Sequence, residues 1–329
     1  MLQKTNAALE KLMPVIAPSS VAGGVLLAEY LHGYTALVPW IFAVMTFSGS
    51  LNSGFRDLRN VLLHPFSLFV CMLILHAIMP MIAWLAGSVV FPDDPLIVTG
   101  FVLAYVIPTG ISSLVWVAMF RGNVPLTLAI ILIDTLLSPL IVPFTLKMFV
   151  GASVHIDVWG MVSGLLWMVV LPSLAGMALQ QWTKGRAKKR LGPVLSPFSK
   201  LGLSAVIMLN SAEVAPYFTS FSWKLMAIIV TVLLMAVTGY LIGWAVAKLL
   251  RRDRGTLIAL ALNSGMRNIS TGAVLAMNYF APAVALPVVC GMLFQQILAS
   301  VFTALLRRVY GTEESGRKVP VRKDIHHSA

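Results

Sequence analysis

Of 329 residues, 58% are hydrophobic and only 11% charged, and the mean hydropathy is +0.88. Soluble domains carry about 25% charged residues, so the composition excludes a soluble enzyme or binding module and indicates a polytopic membrane protein. The formal net charge of +12 is a nucleic-acid signal only if the basic residues cluster on a soluble face, and they do not.

Ten apolar segments run along the chain, at roughly 12–31, 35–52, 62–90, 96–120, 124–149, 157–181, 199–218, 223–249, 256–279 and 282–308. Each has about 18 residues or more, the length that a bilayer core requires. The apolar segment after the polar stretch Met1 to Lys11 has no clear small-x-small cleavage site, which predicts a retained first helix rather than a leader. The basic residues fall on alternate connections. Arg56, Arg59, Arg121, the loop from Lys184 to Arg190, Arg251, Arg252, Arg254 and the tail after Arg307 share one side. The positive-inside rule makes that side cytoplasmic and places both termini there. Cys71 and Cys290 both lie in apolar spans, so no disulfide and no thiolate metal site is expected.

The fourth and ninth segments carry breaks. Pro108-Thr109-Gly110 is followed by Ser112 and Ser113, and Asn263-Ser264-Gly265 by Met266-Arg267-Asn268 and then Ser270-Thr271. Each broken segment is the fourth of five. The long third segment (62–90) matches the long eighth (223–249). The chain therefore reads as an all-α membrane protein with ten transmembrane helices in two inverted five-helix repeats, helices 4 and 9 being broken and crossing. The expected units are 1–150, 151–310 and a polar cytoplasmic tail at 311–329. Inverted repeats with matched broken helices are the mark of a secondary transporter. Half-helix N-termini offer N–H groups to an anion, and half-helix C-termini offer carbonyls to a cation. The freed backbone groups must line a protein-enclosed or wet cavity rather than face lipid.

These residues resemble the bile acid:sodium symporter family. The resemblance is carried by Asn263-Ser264-Gly265-Met266-Arg267-Asn268, by Pro108 to Ser113, by Arg121-Gly122-Asn123-Val124, by Leu136-Leu137-Ser138-Pro139 and by Ile78-Met79-Pro80, and it spans nearly all of 10–310. It implies a panel domain (segments 1, 2, 6 and 7) beside a core domain, with alternating access around crossed broken helices. The departures concern sodium. The family's second break reads close to Glu-x-Gly-Met-Gln-Asn, and its glutamate and glutamine serve sodium. Here those positions are Asn263 and Arg267. Other family ligands align with Leu114, Ile131 and Leu75. Ser113, Thr127 and Asn263 remain as residual sodium ligands, and the resemblance then implies that both sodium sites are dismantled.

The expected function is secondary transport of a small or amphipathic organic anion across a bacterial inner membrane, with the lipid bilayer as surroundings, no nucleic-acid partner and no cofactor. Substrate-binding candidates are Thr109, Ser112, Ser113, Asn263, Arg267 and Asn268. Asp134, the one acid near the middle of a span, is expected to balance charge with Arg267, which lies within the first turn of the restarted half-helix. Three roles stay open for the pair. It is a fixed substitute for sodium in a uniporter or exchanger, a proton-coupling device, or a static bridge; sodium coupling is a further alternative. His76 reads as a hydrogen-bonded structural histidine in preference to a proton relay. Ser48, Ser50, Asn52 and Ser53 are expected to cap the second segment or line the cytoplasmic mouth. Asn210, Ser211 and Glu213 are expected to line an outer vestibule. Gln295 or Gln296 mirrors Asp134. An intramembrane hydrolase would need His76 beside a core serine, and a transport-dead receptor would bind without flux.

Overall fold

The computed structural model describes residues 12, 15–16, 18–51, 65–218 and 222–310, and these are helical throughout apart from short connections and one isolated β-bridge. Residues 1–11, Asn52, Ser53, Arg56, Arg59 and the 311–329 tail lie outside them. Residues 18–26 are helical and are followed by a turn of α-helix at Ala28–Leu31 and a 3-10 stretch at His32–Leu37. Then come α1 (Val38–Ser50), α2 (Pro65–Val90), α3 (Pro95–Val106), α4 (Ser112–Met119), α5 (Val124–Val150), α6 (Val158–Trp182) and α7 (Arg186–Glu213). The chain continues through α8 (Trp223–Leu249), α9 (Arg254–Gly265), α10 (Ile269–Tyr279) and α11 (Pro282–Tyr310). Six helical stretches among the described residues are long and apolar enough to cross a membrane. One of these, Ala28–Ser50, contains a reversal. Before it Ser20 meets Ser204 of α7, at it His32 meets Glu213, and after it Ile41 and Met45 return to Gly202.

Helix starts follow from the polar residues at the connections. Asp94, Asn123, Asp157, Ser222 and Asp253 each accept a hydrogen bond from the backbone N–H three residues on. Each such cap is worth about 1 kcal/mol. Helices α4, α6 and α8 end alike. Arg121, Lys184 and Arg251 take positive φ, and the N–H of the next residue reaches back five positions, to Val117, Gln180 and Ala247. Glycine is the usual occupant of that conformation, and here a cation stands there on each occasion.

Two proline effects shape the long helices. Pro80 and Pro172 have no N–H for the carbonyls of His76 and Met168, and the turns ahead of them widen into π-helix at Ile74–Ile78 and Leu166–Val170. The first of these widened turns carries His76.

The helices fall into two packed groups. The 18–26 segment, α1, α6 and α7 pack together. In the other group α2 lies along α3 as α8 lies along α9, and α5 touches α9 as α11 touches α3. Asn210 and Ser211 are buried on α7, with Ser211 against Gly24, and Glu213 is taken up by His32. The structure therefore places none of the three in an open vestibule.

Candidate functional site

The two breaks meet in the middle of the second group. α3 ends at Val106 because Ile107 turns to an extended conformation (ψ 150°) ahead of Pro108, which disfavours a helical predecessor. α9 ends at Gly265, and Met266 is likewise extended (φ −103°, ψ 125°). The freed stretches pair with each other. Thr109 and Arg267 form an antiparallel β-bridge, and the Asn268 N–H donates to the Pro108 carbonyl at 2.7 Å. Gly110 permits this approach, since a β-carbon there would lie 2.9 Å from the Arg267 carbonyl oxygen. Gly265 lies flat against the Tyr240 ring, with no room for a β-carbon.

The half-helices restart at Ser112 and at Ile269, the second with Asn268 as its N-cap. Arg267 therefore stands in the break itself. It is not inside the first turn of the second half-helix, as its sequence position suggested. There it directly follows the C-terminal end of α9, whose partial negative charge favours a cation.

Around this rung the polar side chains sort into three groups. The first is a closed cradle. The Ser113 hydroxyl donates to Asn263 Oδ1 (2.8 Å), and Asn263 Nδ2 donates to Thr127 Oγ1 (3.0 Å) and to the Ala259 carbonyl (2.7 Å). A carbonyl can only accept, so the amide nitrogen must face it. All three side chains are fully buried. These are the residual sodium ligands, and the carboxamide N–H groups already occupy two of the oxygens that a cation would draw on. The Thr109 hydroxyl adds a long bond (3.4 Å) to the Asn263 carbonyl.

The second group is a relay. Asp134, fully buried on α5, accepts from the Thr109 backbone N–H (2.7 Å) and holds His76 Nε2 at 2.7 Å from its other oxygen. Asp134 makes no direct hydrogen bond to Arg267, although it lies within electrostatic reach of the guanidinium. The reason is local: the π-turn carries His76 to α5, and the break aims the Thr109 N–H at the same carboxylate. The sequence reading weighed His76 and Asp134 separately. A proline four residues after a mid-span histidine was the signal that could have joined them.

The third group consists of two cavities on opposite sides of the rung. One lies between α1, α6, α5 and the first break; its polar lining is Thr46, Ser50, Thr135, Ser173 and Asn268. The other, about half the size, lies between α3, α8 and α11 and is lined by Tyr105, Tyr240, Arg267 and Gln295 among apolar residues. Of the six substrate-binding candidates, Asn268 opens into the first cavity and Arg267 into the second. Ser112 is half-buried beside Gly110, and Thr109, Ser113 and Asn263 build the crossing itself. Ser50 lines the first cavity as expected. Cys71 and Cys290 are buried free thiols, and among the described residues no cluster of three or more His, Cys, Asp or Glu side chains could hold a metal ion.

Comparison with known proteins identifies the family. Over 296 residues the chain is 51% identical to the YbaS protein of Bacillus subtilis, covering 90% of this chain and 97% of that one. It is 26% identical over 293 residues to the B. subtilis protein named sodium-dependent transporter YocS, covering 87% and 89% of the two chains. It is also 26% identical over 253 residues to the chloroplast protein of Arabidopsis thaliana named probable sodium/metabolite cotransporter BASS1, covering 77% of this chain and 62% of that one. Residues 39–221 match the Sodium Bile acid symporter family. The chain belongs to that family, and it is a membrane transporter rather than an enzyme.

Proposed function

We propose that this chain is a secondary transporter of a small or amphipathic organic anion, working by alternating access in a bacterial plasma membrane without obligatory sodium. The observation that carries the reading is the cavity between the two helix groups, with the crossed breaks at its inner wall. Its lining holds hydroxyls, a carboxamide and apolar surface but no acid. Asn268 spends its side-chain oxygen on the Thr271 N–H, which leaves its NH2 group for an anionic substrate. The N-terminal turns of α4 and α10 add partial positive charge at the same wall.

The whole chain is then ten spans in two inverted repeats. Matched breaks, matched packing of α2 on α3 with α8 on α9, and the reversal at His32–Leu37 support that count. Basic residues at the ends of α4, α6 and α8 support cytoplasmic placement of those ends and of both termini. The cavity, lined by the last turns of α1 and the second half of α6, then faces the cytoplasm.

Sodium does not fit the residues present. Its residual ligands Ser113, Thr127 and Asn263 bring no carboxylate and are bonded to one another. Asp134 is engaged by His76 and Thr109. In this reading Arg267 is a resident cation in place of the ion. A second reading, proton coupling, is favoured by one observation: His76, Asp134 and the Thr109 N–H form a continuous hydrogen-bonded chain from α2 to the break. Uptake into proteoliposomes distinguishes these readings. Uniport or exchange predicts unchanged flux with sodium replaced by choline and with the pH gradient collapsed. Flux that dies with the pH gradient alone selects the proton. A tenfold stimulation by sodium overturns the sodium-independent reading.

A further inference from the structure

The cavity behind the rung poses a charge problem that the substrate cleft does not solve. Arg267 is 3% exposed. None of its three guanidinium nitrogens has a hydrogen-bond partner among the described residues. A guanidinium carries five N–H donors, and leaving such a group buried and unpaired costs several kcal/mol even after relaxation. Asp134, the one other charged side chain buried among the described residues, has both oxygens committed to His76 and Thr109. Among the described residues no acid lines the space into which Arg267 opens. Its polar walls are the hydroxyls of Tyr105 and Tyr240 and the carboxamide of Gln295, whose Oε1 is buried and also without a partner.

We propose that this second cavity is a binding site for a small monovalent inorganic anion of the halide class, held by the Arg267 guanidinium. The walls select the class. The other polar groups among the described residues that line this space are a carboxamide and two phenols. Tyr105 already gives its proton to the Val232 carbonyl (3.2 Å), and Tyr240 gives its proton to the Gln295 carbonyl over a long 3.4 Å. That donor set satisfies one negative charge. A divalent phosphate or sulfate needs more donors than are present. Apolar faces from Ala104, Val232 and Val288 favour a weakly hydrated ion. The space holds about one water-sized particle, the scale of a single monatomic ion. Gln295 can turn its NH2 group toward the ion by rotating its last torsion. The cavity shares no lining residue with the cleft, so its occupant is a resident or coupled ion and not the carboxylate of the substrate.

Binding is read without any transport assay, so failure here leaves the transport reading standing. Full-length protein in detergent is exchanged into sodium gluconate, and chloride or bromide is then titrated in at constant ionic strength while thermal unfolding is followed. The expected result is a saturable rise in Tm of several degrees. It should be the same with choline chloride as with sodium chloride, absent in Arg267→Gln and shifted about tenfold to higher chloride in Gln295→Ala. Bromide-soaked crystals of the unaltered protein should show an anomalous peak within hydrogen-bond reach of the guanidinium. Equal Tm in gluconate and chloride, a rise that follows sodium instead of chloride, or water alone at the guanidinium in the bromide crystals would overturn the proposal.

Discussion

The crossing depends on single polar atoms. Asp134 serves two masters, a side chain on α2 and a backbone N–H in the first break. Hydrogen bonds to a charged group contribute about 1.5–3 kcal/mol each. Asp134→Asn keeps the shape but turns one acceptor oxygen into a donor facing either His76 or the Thr109 N–H. Its expected outcome is a clear loss of Tm and of flux, measured by thermal unfolding and by proteoliposome uptake. Glu213→Gln, at the half-exposed end of α7, should change neither appreciably. Asn263 shows the same economy. Where sodium-coupled relatives are implied to place a carboxylate, its amide fills the space between Thr127 and Ala259 with protons. The residue types made an amide and an arginine at the second break legible, and the direction of the amide follows from the carbonyl of Ala259 beside it. The direction of Arg267 was not legible. In an extended segment the side chains alternate between faces, so a shift of one residue in where the break begins decides which cavity a side chain enters.

At the scale of the element, the breaks are determined by backbone chemistry more than by packing. Pro108 forces Ile107 to be extended, Gly110 admits the Arg267 carbonyl, and Gly265 admits the Tyr240 ring. Gly265→Ala would drive a β-carbon into that ring, which is itself stacked on Phe302 with ring centroids 4.5 Å apart. The expected effect is a collapse of folded yield on size-exclusion chromatography. Pairing it with Tyr240→Leu, which removes the obstacle, should restore much of the yield; no rescue would mean that the glycine matters for some other reason. The sequence showed where the breaks were because proline, glycine and serine interrupt an apolar run. It hid the π-turns, because widening a helix ahead of Pro80 changes no residue pattern. It only rotates His76 by part of a turn toward α5. The ends of α4, α6 and α8 have a similar logic, with Arg121, Lys184 and Arg251 at positive φ. A left-handed arginine or lysine costs about 1–2 kcal/mol, and the cytoplasmic placement proposed above would give a reason for bearing that cost at all three turns.

At the scale of the molecule, two helix groups face each other across the cleft, and alternating access requires them to move as bodies. They touch at Gly49 of α1, where a β-carbon would lie 2.6 Å from the Ile111 side chain. Gly49→Cys with Ile111→Cys should form a bond across the groups on oxidation and arrest flux, and reduction should restore it. Undiminished flux in the cross-linked protein would rule out rigid-body movement along this contact. Cys71 and Cys290 are both 0% exposed, so they should not compete. One feature of the crossing ties the two sides of this machine together. Asn268 opens to the cleft and Arg267, its neighbour, to the space behind. The two cavities are thus separated by a single peptide bond, one whose N–H is pinned to Pro108. Any occupant that rotates that peptide from one side does so for the other. If the cleft holds substrate at Asn268 and the space behind holds an anion at Arg267, as proposed above, linkage makes the effect reciprocal: the factor by which the anion changes the affinity for substrate is the factor by which substrate changes the affinity for the anion.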